Sequence, residues 1–262
     1  MKPVTAFDSR SVRFLFTDID DTLTDHGRLG PGAYEALWRL DAHGIKVIPV
    51  TGRPAGWCEM IARLWPVHGV VGENGGFYFR YHDKKMSRSF YFDEQTQITN
   101  RKKLDRIRDE VLKKVPGCAI ASDQFSRLMD LAVDFAEDVG PLSEKQIDEI
   151  VACFTKEGAQ AKVSSIHVNG WFGDYDKLSM CRQYASNELG LDIDKANEEF
   201  AFSGDSPNDE PMFAFFKNAF AVANIKAFVP RLKYKPAFVA VGDGGEGFIE
   251  IADRLIATTP KR

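Results

Sequence analysis

The sequence predicts a doubly wound, Rossmann-like α/β core that carries an inserted α+β domain. Three observations predict it: strand and helix patterns alternate over about the first 80 residues, the alternation changes near residue 84, and it resumes after residue 173. Such alternation is typical of parallel strands joined by right-handed crossovers. We therefore expect a core of residues 1–83 and 174–262 and an inserted cap of residues 84–173.

The N-terminal part of the core shows the alternation most clearly. The segments "VRFLF", "IKVIPV" and "HGVVGENGGFYF" predict strands, the last with a turn inside it. The segment "PGAYEALWRLDAHG" predicts a helix that begins at Pro31, where proline is tolerated, and stops at Gly44. The segment "PAGWCEMIARLW" predicts a second helix before Pro66. Together they indicate a βαβαβ unit with parallel strands.

The middle of the chain has a different pattern. Two helical faces are predicted, each followed or preceded by strand candidates such as "SFYFD", "RLMDLAVDFA" and "AKVSSIHVNGWF". The last of these alternates, which places His167, Asn169 and Trp171 on one side of a strand. After Asp176 the core pattern returns with "YDKLSMCRQYASNEL" as a helix and "EFAFSG" as a strand.

Composition narrows the class of protein. The chain has 262 residues, 44% of them hydrophobic, and a formal net charge of -4, so a general attraction to nucleic acid or an anionic membrane is not expected. No apolar stretch approaches the roughly 20 residues that span a bilayer, and the N-terminus lacks the apolar region of a secretory signal. The four scattered cysteines fit reduced thiols in a cytoplasmic protein. The sequence leaves the oligomeric state open.

Polar groups follow three of the predicted core strands. Asp18 and Asp20 come after the first, "TGRP" after the second, and "GDSPND" after a later one. In open parallel sheets, ligands bind outside the carboxyl ends of the strands, so these groups should meet at one edge. Two of the three groups are rich in carboxylates, which suits a hard divalent cation such as Mg²⁺.

Four segments resemble, in chain order, the four motifs of the haloacid dehalogenase-like phosphohydrolases: "FTDIDDTLT", "VTGRP", Lys177 and "GDSPND". The insertion between the second and third motifs resembles that of the class IIB (Cof-type) subgroup, whose caps cover the substrate. Within it, "GENGG" and "GDSPNDEPMF" are similar to the branch with mannosyl-3-phosphoglycerate, sucrose-phosphate and trehalose-6-phosphate phosphatases.

The resemblance implies catalytic roles for four residues. Asp18 would be the nucleophile that forms an aspartyl-phosphate, and Asp20 the general acid and then the base. Thr51 and Lys177 would hold the phosphoryl group.

The resemblance also implies a Mg²⁺ site and a substrate site. The cation ligands or their supports would be Asp18, Asp20 through its carbonyl, Asp205, Asn208 and Asp209. The candidates for substrate contact are Gly52, Arg53, Asn74, His167 and Asn169.

The expected function is a Mg²⁺-dependent phosphatase that acts on a small phosphorylated metabolite, such as a sugar phosphate. The alternatives are a phosphomutase on the same scaffold and a non-catalytic phosphosugar-binding protein. The segment "GDGGEG" fits a dinucleotide-binding pattern, but the chain ends before the strand and acidic residue that such a site requires.

Overall fold

The computed structural model describes residues 1–164 and 166–261. Its strands are β1 Lys2–Pro3, β2 Phe14–Thr17, β3 Thr24–Asp25, β4 Arg28–Leu29, β5 Lys46–Pro49, β6 Val70–Gly72, β7 Phe77–His82, β8 Lys85–Phe90, β9 Ala119–Ile120, β10 Leu131–Asp134, β11 Gln160–Val163, β12 His167–Trp171, β13 Phe200–Gly204, β14 Asn218–Ala221 and β15 Phe238–Val239. Its α-helices are α1 Pro31–His43, α2 Ala55–Leu64, α3 Glu94–Lys114, α4 Glu144–Lys156, α5 Lys177–Tyr184, α6 Glu210–Phe215 and α7 Gly244–Thr258.

A six-stranded sheet forms the centre of the fold. Its order is β1-β15-β14-β13-β2-β5, and every neighbouring pair is parallel. The chain crosses from β2 to β5 through α1 and returns to β13 beside β2 only after the insertion. The predicted doubly wound α/β core is therefore confirmed, and β2 and β13 lie side by side in the interior of the sheet.

Alternating side chains of the central strands fill two hydrophobic clusters, one on each face of the sheet. In β2, Leu15 belongs to one cluster, and Phe14 and Phe16 belong to the other. All three are at most 3% exposed, and burying such a side chain contributes about 1.5–3 kcal/mol. This burial fixes the strand register, and with it the position of the residues that follow Thr17.

Helix ends follow the local sequence signals. α1 begins at Pro31 and ends before Gly44, whose φ of 90° lets its N–H reach the carbonyls of Leu40 and Asp41. α5 is shorter than its sequence pattern predicts, because a π-helical turn, Ala185–Leu189, replaces its last part. Asp176 caps the start of α5 by accepting from Ser179 N, and this fixes Lys177 in the first turn.

A second sheet with its own hydrophobic cluster lies outside the core. Its order is β11-β12-β10-β9, all pairs are antiparallel, and α3 and α4 pack against it around Phe154 and Val168. We call residues 94–171 the insertion unit. This is the α+β arrangement that the middle of the sequence predicts.

The predicted boundary at residue 84 falls inside a hairpin. β7 and β8 pair over their whole length, with Asp83 and Lys84 as the turn, both at positive φ. β6 joins them as a third strand, and a bridge between Val50 and Val71 links it to the end of β5. Within the described residues, no helix has the length and apolarity that crossing a bilayer requires. The four cysteines are free thiols.

Candidate active site

Three carboxylates and one lysine meet at the carboxyl ends of β2 and β13. Lys177 Nζ lies 3.1 Å from Asp18 Oδ1 and 3.1 Å from Asp209 Oδ1. The residue Asp205, directly after β13, completes a cluster whose carboxylate oxygens lie within 4.8 Å of one another. The sheet therefore brings together residues from the first, third and fourth sequence motifs.

Short local hydrogen bonds orient these carboxylates. Asp18 Oδ1 accepts from Ile19 N at 2.9 Å, and Asp205 Oδ1 accepts from Thr22 Oγ1 at 3.3 Å. Asp209 Oδ2 accepts from Asp205 N at 3.1 Å, which folds the segment after β13 back on itself. Each carboxylate is thus oriented by a hydrogen bond from a backbone N–H or a hydroxyl group.

Burial and mutual repulsion shift the acid groups strongly. Burial, together with Asp209 and Asp20, raises the pKa of Asp18 to about 7 against the opposing charge of Lys177. Burial and the charges of Asp209 and Asp18 raise the pKa of Asp205 to about 9. Although burial alone would lower the pKa of Lys177, Asp18 and Asp209 raise it above its usual range. Three carboxylates around one ammonium leave the cluster with excess negative charge, which a bound cation would offset.

The donor set fits a hard divalent cation. Carboxylate and amide oxygens are the ligands that Mg²⁺ prefers. The amide oxygen of Asn208 is buried and has no hydrogen-bond donor among the described residues, and it lines the same cavity as Asp18 and Asp205. An unpartnered buried oxygen beside a carboxylate cluster is what an oxygen-ligated ion would satisfy.

Asp20 is held by the second motif. Arg53 Nε lies 3.1 Å from both of its carboxylate oxygens, and Arg53 Nη2 lies 2.8 Å from Oδ1. The guanidinium also stacks on Trp57, 4.5 Å from the ring centroid. Unlike the Asp18 carboxylate, that of Asp20 is partly open to solvent, so it faces the cavity while Arg53 fixes its direction.

The loop of the second motif contacts the "GENGG" loop. Thr51 is fully buried, its hydroxyl accepts from Arg53 N at 3.0 Å, and its carbonyl accepts from Asn74 N at 3.1 Å. Asn74 has a φ of 57° and its side chain lies against Gly52. Gly75, with a φ of 105°, must be glycine because a Cβ there would lie 2.1 Å from Asp176 O. This close approach joins the loop to the start of α5 and hence to Lys177.

The insertion unit supplies the opposite wall of the site. His167 Nε2 lies 2.9 Å from Glu137 Oε2, outside hydrogen-bond geometry, and burial lowers the pKa of His167. Asn169 Nδ2 donates to Asp130 Oδ2 at 3.0 Å. Lys162 Nζ donates to the backbone oxygen of Asn208 at 2.9 Å, a contact between the insertion unit and the loop that follows β13.

A cavity of about 900 Å³ lies between the two walls. Ten of the twelve residues singled out from the sequence line it: Asp18, Asp20, Gly52, Arg53, Asn74, His167, Asn169, Lys177, Asp205 and Asn208. Thr51 and Asp209 are fully buried and do not line it. Asp209 instead supports Lys177, and Thr51 supports the Arg53 loop.

Sequence reasoning missed three residues of this region: Glu73, Glu137 and Lys162. Lys162 lies on β11, and its position opposite Asn208 depends on how the insertion unit folds over the core. Glu137 lies 3.9 Å from Arg53 across the same gap. Glu73 was part of a quoted loop, but its hydrogen-bond donors are backbone amides, which leave no pattern in the sequence.

Comparison with known proteins agrees with the sequence motifs. Residues 15–114 match the model of a family described as haloacid dehalogenase-like hydrolases. The matched span runs from Leu15 in β2 to the end of α3, and it includes Asp18, Asp20 and the Arg53 loop. The predicted family resemblance is confirmed by this match. Among curated proteins, no sequence match is significant.

Solved structures share the fold over nearly the whole chain. A Thermoplasma acidophilum protein superposes with a TM-score of 0.72 at 20% identity, covering 93% of this chain and 98% of its own. A haloacid dehalogenase-like hydrolase from Bacteroides thetaiotaomicron gives 0.68 at 15% identity, covering 93% and 99%. The sucrose-phosphatase of Synechocystis sp. PCC6803, solved with sucrose and phosphate, gives 0.63 at 15% identity, covering 94% and 98%. At these identities the likeness establishes the fold.

Proposed function

We propose that the chain is a phosphatase that hydrolyses a small phosphorylated metabolite, with sugar phosphates as the substrate class, because residues 15–114 match the model of the haloacid dehalogenase-like hydrolases. The observation that carries this proposal is the contact of Lys177 with both Asp18 and Asp209, beside Asp205 and below the cavity. A buried, lysine-paired carboxylate at the end of β2 is suited to nucleophilic attack, because the lysine favours its ionised form.

The chemistry divides between two aspartates. A carboxylate oxygen of Asp18 attacks phosphorus and forms an aspartyl-phosphate, while the ester P–O bond breaks and Asp20 gives its proton to the leaving oxygen. Water then attacks phosphorus, Asp20 takes a proton from it, and the bond to Asp18 breaks to release inorganic phosphate. Arg53 orients Asp20 through both steps, because its fork contacts both carboxylate oxygens.

A divalent cation, proposed as Mg²⁺, would be held by Asp18, Asp205, the carbonyl of Asp20 and the amide oxygen of Asn208. When bound, it would offset the negative charge of the phosphoryl group and of the carboxylate cluster. Asp209 supports the site indirectly, since it accepts hydrogen bonds from Lys177 Nζ and from the backbone N–H of Asp205.

The cavity supports a sugar phosphate as substrate. Its volume of about 900 Å³ is of the size that small-molecule sites usually have. Away from the carboxylate cluster, its wall includes neutral polar side chains, among them Asn74 and Asn169. Such groups can donate to and accept from the hydroxyls of a sugar. We propose that the inserted cap, expected at residues 84–173, places Asn169 over the phosphate, while the core contributes Asn74.

The test is phosphate release from a panel of sugar phosphates and phosphoglycerate esters with Mg²⁺. We expect the wild-type protein to release inorganic phosphate, and Asp18→Asn to release none. Asp41→Asn, on the solvent-exposed side of α1, is the matched control and should retain activity. Conversion of a sugar phosphate to its isomer without free phosphate would instead indicate a mutase, and activity in Asp18→Asn would refute the nucleophile.

A further inference from the structure

Glu73 is a fully buried carboxylate that none of the proposed chemical steps uses. Its Oε1 accepts from Ala55 N at 3.0 Å, in the first turn of α2. It also accepts from three successive amides of the insertion unit: Leu128 N at 2.9 Å, Met129 N, and Asp130 N at 3.0 Å. One side chain of the core loop is thus bound by backbone from both parts of the protein.

The arrangement is that of an anion-binding nest. Successive N–H groups that converge on one point form a concave, positive site for a carboxylate. Hydrogen bonds to a charged acceptor are stronger than those between neutral groups, and they weigh more when water is excluded. Burial and the nearby charge of Asp130 raise the pKa of Glu73 to about 7, while Arg127 and the amides oppose that rise.

A second contact runs beside the nest. Arg127 Nη1 donates to Gly52 O at 3.1 Å and to both carboxylate oxygens of Asp130 at 3.1 Å. Asp130 in turn accepts from Asn169, which lines the cavity. On the core side, Asn74 is the next residue after Glu73 and lines the same cavity. The nest is therefore linked to a cavity-lining side chain on each wall: to Asn74, the next residue in the chain, and to Asn169 through Asp130.

We propose that Glu73 is a positioning residue: by binding the amides of residues 128–130, it clamps the insertion unit over the cavity and sets the substrate-facing side chains of both walls. The expected effect on KM rests on the proposed function, whereas the expected effect on hydrogen exchange does not. The clamp would matter for substrates that reach the insertion unit, and little for a small ester that occupies only the carboxylate cluster.

The decisive variant is Glu73→Gln. It keeps the size of the side chain, but it removes the charge and points an NH₂ group at backbone donors. We expect hydrogen exchange in the segment of residues 127–131 to become about 10–100-fold faster, the range for losing hydrogen bonds to a charged group. KM for a sugar phosphate should rise by a similar factor, while kcat/KM for p-nitrophenyl phosphate changes less than about threefold.

Two further variants complete the design. Glu73→Asp keeps the charge on a shorter stem and should give intermediate exchange and KM. The control is Glu59→Gln, in α2, the helix whose first turn Glu73 contacts. The Glu59 carboxylate pairs with Arg63 and Arg88, and this variant should match the wild type in both assays.

The outcomes separate the clamp from the proposed function. Unchanged exchange at residues 127–131 in Glu73→Gln would overturn the clamp. Faster exchange throughout the central sheet, with equal losses on both substrates, would also overturn it in favour of a merely structural role. If the wild type hydrolyses no phosphate ester, yet the variant exchanges faster only at residues 127–131, the clamp stands and the phosphatase proposal fails.

Discussion

Arg53 and Asp20 form a two-pronged ion pair at the mouth of the cavity, with Nη2 2.8 Å from Oδ1 and Nε 3.1 Å from both oxygens. The guanidinium is largely buried on Trp57, whereas the carboxylate is partly open to solvent. Arg53 therefore fixes the orientation of the more exposed Asp20 carboxylate. Because lysine presents a point charge rather than a planar fork, an Arg53→Lys variant would keep the charge but lose this direction.

We predict that Arg53→Lys lowers kcat for phosphate-ester hydrolysis about 10–100-fold, because a general acid must be held in line to contribute its usual factor. The assay is steady-state phosphate release. Arg63→Lys is the matched control: Arg63 makes a comparable fork on Glu59 and stacks on Tyr81, away from the cavity. A kcat in Arg53→Lys equal to that of the control would contradict the positioning role.

Asp205→Asn should change stability in opposite directions with and without a divalent cation. Burial and the charges of Asp209 and Asp18 raise the pKa of this carboxyl to about 9. Without metal, the native protein therefore keeps a proton that the unfolded chain loses above about pH 4, and stability falls as pH rises from about 4 towards 9. The neutral variant removes that cost, and at pH 8 in EDTA we expect its Tm to lie a few degrees above that of the wild type.

With Mg²⁺ the order should reverse. A ligand that binds only the folded state at 100 times its Kd adds about 2.7 kcal/mol of stability. We expect 10 mM Mg²⁺ to raise the Tm of the wild type and of Asp41→Asn, but to leave Asp205→Asn nearly unchanged. Equal Mg²⁺-induced shifts in all three proteins, measured by calorimetry, would show that Asp205 is not a ligand.

His68 should make stability depend on pH at a distance from the site. Its Nδ1 lies 2.8 Å from the hydroxyl oxygen of Tyr184, and burial, with Arg80 and Lys46 nearby, lowers its pKa to about 3. Between about pH 6.5 and 3 the unfolded chain therefore binds a proton that the native protein does not. Stability from this residue is lost as pH falls through that window, by at most about 1.4 kcal/mol per pH unit and less where solvent screens the ring.

The check is urea denaturation at several pH values for wild type and His68→Gln. We expect the wild type to lose stability between pH 6.5 and 4.5 more steeply than the variant. His82→Gln, at an exposed histidine of the β7–β8 hairpin, should follow the wild type. Parallel curves for all three proteins would contradict the assignment of a half-buried, neutral His68.

The sequence predicted those site residues that directly follow a core strand. Asp18 follows the continuous apolar run of β2, and Asp205 follows the buried strand β13. Because parallel strands end at the same edge, their meeting could be foreseen. The π-helical turn after Tyr184 could not, because its residues still suit an α-helix. Nor could the partners of Glu73, since the three amides it binds depend on how one folded unit lies against another.

Lys162 shows the same difference and yields the last prediction. The alternating pattern of its strand predicts only that one face is buried. In the structure the ammonium lies in the cavity wall, with Nζ 2.9 Å from Asn208 O. Burial and the charge of Lys177 lower the pKa of Lys162 to about 8. A half-buried ammonium, whose three N–H donors outnumber its one described acceptor, lies close to the proposed phosphate position and should attract the anionic substrate.

We predict that Lys162→Gln raises KM for a sugar phosphate about tenfold or more, the loss expected for one charge-assisted hydrogen bond, with a smaller effect on kcat. Lys156→Gln removes a lysine of the same unit that pairs with Glu110 at the surface, and it should leave KM unchanged. If kcat fell while KM stayed constant, Lys162 would act on the transition state or the metal loop through Asn208 rather than on substrate capture. The separate effects on KM and kcat therefore decide whether Lys162 binds the substrate or acts on the transition state.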